Sequence, residues 1–162
     1  MPDFSTLNMR DQAEVLRLLL LMRLANKFQI IAWADSLIET QDQVPNWILD
    51  VSLAANRTED EIELLLRGLP GTFQERAVAL GVLEYFAYEF QDNGKFTSRE
   101  AAKILQVWAD NVDLKDDERF AATTPLLISD EIEDFHVNAT DAQVVDAINA
   151  CIERFLPNGD SQ

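Results

Sequence analysis

Residues 58–71 read Thr-Glu-Asp-Glu-Ile-Glu-Leu-Leu-Leu-Arg-Gly-Leu-Pro-Gly, and they hold a start, a face and a stop for one helix. Thr58 can accept from a backbone N–H of the first turn while Glu61 reaches back, the reciprocal pairing of a capping box. Ile62, Leu65, Leu66 and Leu69 then recur at three- and four-residue spacing, which lines them along one helical face. Gly68, Pro70 and Gly71 stop the helix, since Gly tolerates left-handed dihedrals and Pro cannot continue the ladder.

The same pattern extends in both directions. Upstream, residues 8–24 are apolar on nearly every side, from Val15 through Leu18, Leu19, Leu20, Leu21 and Met22, as in a helix at the middle of a bundle. A break is expected at Ala25-Asn26-Lys27, the alternative being one uninterrupted helix to about Ile38. The second helix carries Phe28, Ile31, Ala32, Asp35, Leu37 and Ile38, with Trp33 flanking its apolar face. Pro45 opens a short third helix holding Trp47, Ile48, Val51 and Leu53, because Pro suits a first turn whose N–H groups lack intrahelical partners.

Downstream, residues 72–90 place Phe73, Ala77, Leu80, Leu83, Phe86, Ala87 and Phe90 on a broad stripe that ends in the Asp92-Asn93-Gly94 turn. Thr97 and Glu100 form a second capping box, before Ala101, Ile104, Leu105 and Trp108. Residues 110–124 read as short helix and loop, and Pro125 leads into a segment around Leu126, Leu127 and Ile132. Thr140 caps a last helix through Val144, Val145, Ile148, Ile152 and Phe155. Strand-like alternation is missing, so the expected fold is all-α: one compact domain, 1–162, a bundle of roughly seven helices with frayed ends at about 1–7 and 157–162.

Of the 162 residues 48% are hydrophobic, and 29 acids face 13 bases for a net charge of −16. That composition builds a core and is not that of a disordered chain. The charge argues against nucleic acid and against an anionic membrane surface, both of which are recognised mainly by Lys and Arg. It favours a basic protein partner. Residues 110–146 concentrate the excess, with eleven acids against Lys115 and Arg119 alone. Two clusters dominate, Asp113, Asp116, Asp117 and Glu118, then Asp130, Glu131, Glu133 and Asp134, and these eight are the candidate partner-binding residues. The plainer account is a solvated face, partly offset where acids occupy a first helical turn. Surfaces built only for solubility mix signs, which this one hardly does.

Catalytic and metal chemistry is poorly provided for. Cys151 is the single Cys and His136 the single His, so an internal disulfide is ruled out and a zinc site lacks ligands. No Gly-x-Ser-x-Gly nucleophile motif occurs, and the Gly68-Leu69-Pro70-Gly71 turn lacks the Lys and Ser/Thr of a phosphate loop. Residues 89–100 align with a calcium loop at Gly94 and Glu100, but Glu89 and Gln91 stand where Asp is wanted. A helix–turn–helix with Thr97 as cap explains the same residues. Glu133 and His136 have the Glu-x-x-His spacing of di-iron bundles without the second pair those need. Among 29 acids some carboxylates must lie close together, and no pair is singled out. No cofactor and no metal are therefore expected. Cys151 reads as a small buried hydrophobe, the Trp residues as core, and one of Tyr85 and Tyr88 must reach the surface. The apolar run at residues 15–22 is too short to span a bilayer and has acids where a signal peptide is basic, so a cytoplasmic protein is expected.

Ile31-Ala32-Trp33-Ala34-Asp35-Ser36-Leu37-Ile38, followed by Val44-Pro45-Asn46-Trp47-Ile48-Leu49-Asp50-Val51-Ser52-Leu53-Ala54, resembles a layout of small bacterial proteins in which a Trp-Ala-Asp helix precedes a Pro-opened one. Some of those are immunity proteins for secreted toxins. The resemblance spans about residues 10–70 and carries no functional residue across. It names no partner. The net charge of −16, the acidic stretch 110–146 and the missing catalytic residues point to a non-catalytic interaction protein, an immunity protein that neutralises a basic, nuclease-type toxin domain through an acidic surface. The rival expectations are a structural, adaptor or chaperone-like homo-oligomer, in which charge serves solubility, and an enzyme working through carboxylates.

Overall fold

The computed structural model describes residues 4–135 and 140–156, with side chains described for 4–130 and 140–156. Among these the protein is all-α, with eight α-helices and no strand. Two compact units make up the chain, Phe4–Gln74 and a second that begins at Glu75.

The first unit holds α1 (Met9–Leu21), α2 (Lys27–Thr40), α3 (Asn46–Ser52), a 3-10 turn (Ala54–Asn56) and α4 (Glu59–Arg67). Helix α1 packs on α4, and α2 on α3. The break between α1 and α2 is real, and its cause is a left-handed residue. Arg23 has φ +58°, its N–H donates to the Leu20 carbonyl at 3.0 Å, and the Leu24 N–H reaches the Leu19 carbonyl at 2.8 Å. Those paired bonds satisfy the last carbonyls of α1 and turn the chain away. Asn26 then opens α2, accepting from the Gln29 N–H (3.2 Å) while Gln29 Oε1 accepts from the Asn26 N–H (2.9 Å).

The inward stripe of α2 differs from the expected one. Trp33 stacks on Trp47 of α3 at 6.3 Å between centroids, and its Nε1–H donates to Gln12 Oε1 at 2.8 Å. With Trp33 so placed, Ile30, Ala34 and Leu37 turn inward at i, i+4 and i+7, and Phe28 and Ala32 are exposed. Leu53 lies past the end of α3 and is likewise exposed.

Helix α1 is not purely apolar inside: Asp11 and Glu14 are both buried. Asp11 accepts from the Asn8 side chain (2.7 Å) and from the backbone N–H of Gln74 (2.8 Å), the last residue of the unit. Glu14 accepts from Arg10 (3.2 Å) and from Arg17 (2.6 Å); Arg17 also donates to Glu63 of α4 (2.7 Å), which takes Arg67 as well (2.9 Å). Buried charge is tolerated only when paired, and this alternating chain of Arg and Glu ties α1 to α4. Burial works against the Arg17 charge, but Glu14 and Glu63 outweigh it and hold its pKa above the ordinary value.

The second unit holds α5 (Glu75–Ala87), which widens into a π-helical turn (Tyr88–Asp92), then α6 (Ser98–Asn111), α7 (Asp116–Phe135) and α8 (Asp141–Phe155). Helix α7 packs on both α6 and α8. Helix α5 is buried on most sides, from Val78 and Ala79 through Val82, Leu83, Tyr85, Phe86 and Ala87. The Trp108 Nε1–H donates to the Ala79 carbonyl at 3.1 Å, and Phe155 meets the same indole edge-on at 5.1 Å. Tyr85 is buried and Tyr88 reaches the surface. Cys151 is buried, which pushes its thiol up to about 12.

One expectation about α7 needs correction. Residues 116–135 form one helix with Pro125 inside it, where short helix and loop were expected. Pro125 and Ala122 are buried in the packed side of α7, and Thr124 Oγ1 donates to the Phe120 carbonyl at 2.7 Å just before the proline; packing on α6 and α8 outweighs the lost N–H. At the N-terminal end Phe4 is buried and its carbonyl accepts from the Leu7 N–H at 2.9 Å. Residues 1–3, His136 and residues 157–162 lie outside the described residues. No helix among the described residues is long and apolar enough to cross a membrane.

Candidate interaction surface on α7

Helix α7 buries a narrow stripe of small side chains, Ala122, Pro125 and Ser129, at i, i+3 and i+7. Small residues let α7 sit close to its neighbours. The opposite side faces water and runs Asp116, Phe120, Thr123, Leu127, Asp130 by helical register. Phe120 is 66% exposed and Leu127 56%.

The predicted acids fall into three groups. Asp113 and Asp116 are exposed and have no ion pair among the described residues. Asp117 pairs with Arg154 of α8, Glu118 with Arg76 at 2.9 Å, and Asp130 with Arg99 at 3.7 Å. Glu118 also accepts from the Lys115 backbone N–H at 3.1 Å, closing the first turn of α7. Glu131, Glu133 and Asp134 lie on α7, but their side chains lie outside the described residues.

Arg119, one of the two bases in this acidic stretch, serves a different purpose. Its Nη1 donates to the carbonyl of Ala109 and its Nη2 lies 3.5 Å from that of Val112. A cation at the C-terminal end of α6 meets carbonyls that have no intrahelical partner. Among the described residues it makes no ion pair with an acid of α7.

Asp113, Glu118, Arg76, Lys115 and Leu114 border an open cleft of about 500 Å³. Arg76 also stacks over the Phe155 ring at 5.3 Å, so its guanidinium is held between Glu118 and an aromatic face. The cleft mixes both signs of charge and brings together no nucleophile and base. A second cleft, in the first unit, is lined by Leu20, Leu21, Arg23, Glu59, Asp60 and Glu63.

Residues 89–100 are organised as a helical turn and a cap. Glu89 is buried and holds Lys95 at 2.9 Å, and Glu100 Oε2 accepts from the Thr97 N–H at 2.9 Å and from its hydroxyl at 2.8 Å. Among the described residues no three His, Cys, Asp or Glu side chains are placed to hold a metal ion.

Phe120 and Leu127 escaped the sequence reading, which named Leu127 only as part of the segment after Pro125. The signal lay in their seven-residue spacing on the side of α7 that carries Asp116. No protein-family model, curated protein or solved structure matches this chain.

Proposed function

We propose that the protein is a non-catalytic interaction module that binds a basic protein partner through the water-facing side of α7, as an immunity protein neutralising a nuclease-type toxin domain. The observation that supports it is the unneutralised charge at the start of α7: Asp113 and Asp116 are exposed, and Arg119 is turned onto α6. From residue 75 onward the chain has eighteen acids and seven bases, against ten and six in residues 4–74. An acidic face presented to a basic cleft speeds encounter and excludes nucleic acid from it. The test is calorimetric titration with the basic toxin-like polypeptide encoded beside its gene. Tight binding that weakens with salt and with charge reversal at Asp113 and Asp116 supports the reading; the lack of such a polypeptide, or binding indifferent to both changes, overturns it.

A second reading, a helical homo-oligomer, is favoured by one observation. Leu49 and Leu53 stand four residues apart at the end of α3, 42% and 81% exposed. Light scattering decides: a dimer that persists in high salt and dissociates on Leu53→Ser supports this reading.

A further inference from the structure

Among the described residues, the second unit displays its two most exposed large apolar side chains on one helix, and on the same side of it. Phe120 and Leu127 are separated by seven residues, two turns, so they stand about 10 Å apart along the axis of α7. Thr123 and Thr124 occupy the turn between them and are only half-buried. Asp116 lies one turn before Phe120 and Asp130 one turn after Leu127, both exposed. The strip therefore reads acid, large apolar, small polar, large apolar, acid. A surface kept only for solubility would not place Phe and Leu at its centre.

We infer that this face of α7 docks an amphipathic helix of the basic partner, with Phe120 and Leu127 as its anchors. The inference rests on the proposed function and adds the shape of what is bound. An amphipathic helix offers apolar side chains at i and i+7 that match the two anchors. A Lys or Arg beyond them meets Asp116, which has no ion pair among the described residues, with Asp130 shared with Arg99 at the other end. A flat or extended basic segment matches the charge but not the two-turn apolar spacing. Contacts of this kind concentrate affinity in a few large apolar side chains, with charge setting rate and partner choice.

The probe is a synthetic Lys/Leu peptide of about five turns, with Leu on one face at helical spacing. Its control has the same composition, with the Leu residues scattered around the helix. Binding of each to the full chain is followed by anisotropy of a peptide label, with circular dichroism confirming that every variant keeps its helical content. The amphipathic peptide is expected to bind about tenfold or more tightly than the scattered one. Phe120→Ser and Leu127→Ser each remove that preference, and Leu64→Ser, an equally exposed leucine in the first unit, does not. Equal binding of the two peptides overturns the inference while leaving charge-driven recognition of a toxin intact. Preference that survives both serine variants also overturns it. A self-association lost in Phe120→Ser gives the face to a second copy of this chain and overturns it too. Failure of the proposed function is read separately, from titration with the polypeptide encoded beside the gene.

Discussion

The guanidinium of Arg119 donates to the carbonyl of Ala109, so a base at the start of α7 closes the end of α6. Two consequences follow from this one contact. The α6 carbonyls gain a charged donor, and the Arg119 guanidinium is directed to backbone oxygens instead of to a carboxylate of α7. Arg119→Ala is expected to lower stability by about 1–2 kcal/mol, the worth of a charge-assisted bond to an otherwise unpaired helix end. The midpoint of urea unfolding measures it, and Arg119→Lys should recover part of the loss. An unchanged midpoint contradicts the capping role.

Glu14 is the most enclosed acid of the α1–α4 chain, holding Arg10 and Arg17 with 5% of its side chain exposed. Removing one member of a buried ionic set leaves uncompensated charge behind. Glu14→Ala should therefore destabilise by about 3 kcal/mol, several times the effect of removing a surface pair such as Arg99 with Asp130. Thermal unfolding of the two variants makes the comparison directly.

Arg23 adopts φ +58°, a conformation that costs a side-chain-bearing residue more than it costs glycine. Arg23→Gly should raise stability by about 0.5–1 kcal/mol while preserving the turn between α1 and α2. Urea unfolding tests it. A loss of stability would mean that the Arg23 side chain contributes more than its backbone costs.

Glu61 and Glu100 each accept from the backbone N–H and then from the hydroxyl of their capping threonine, and these bonds hold both carboxyls below the ordinary range. The bonds favour the ionised folded form. Their contribution is thus present above the unfolded carboxyl range and is lost as pH falls through the depressed folded values. Carboxyl chemical shifts followed through an acid titration should show both midpoints low. Thr58→Ala removes the hydroxyl but keeps the backbone N–H, so it should raise the Glu61 midpoint only part of the way to the ordinary range, and Thr97→Ala that of Glu100, each without moving the other.

Local signals in the chain were legible because each depends on neighbours in sequence. The boxes at Thr58 and Thr97 form as their residue spacing implies, as does the break before Lys27. Features that depend on distant partners were not. Asp11 looks like a surface acid until the Gln74 N–H is seen on it, and Glu14 until Glu63 of α4 is seen holding its partner Arg17. Pro125 reads as a helix breaker until α7 is seen packed on α6 and α8, continuing as one helix through it. At the candidate surface the charge was visible in full, but which acids pair was not, because Arg76, Arg99 and Arg154 come from other helices. Exposed Phe120 and Leu127 have the spacing of core residues, and only packing distinguishes the two.

The most direct test of recognition through the acidic side of α7 is the affinity of the chain for the basic polypeptide encoded beside its gene, measured at low salt and at about 0.5 M salt. The account predicts an affinity that falls about tenfold or more across that range, with Asp113→Lys and Asp116→Lys together reproducing most of the loss at low salt. An affinity that ignores salt, or survives both reversals unchanged, contradicts it.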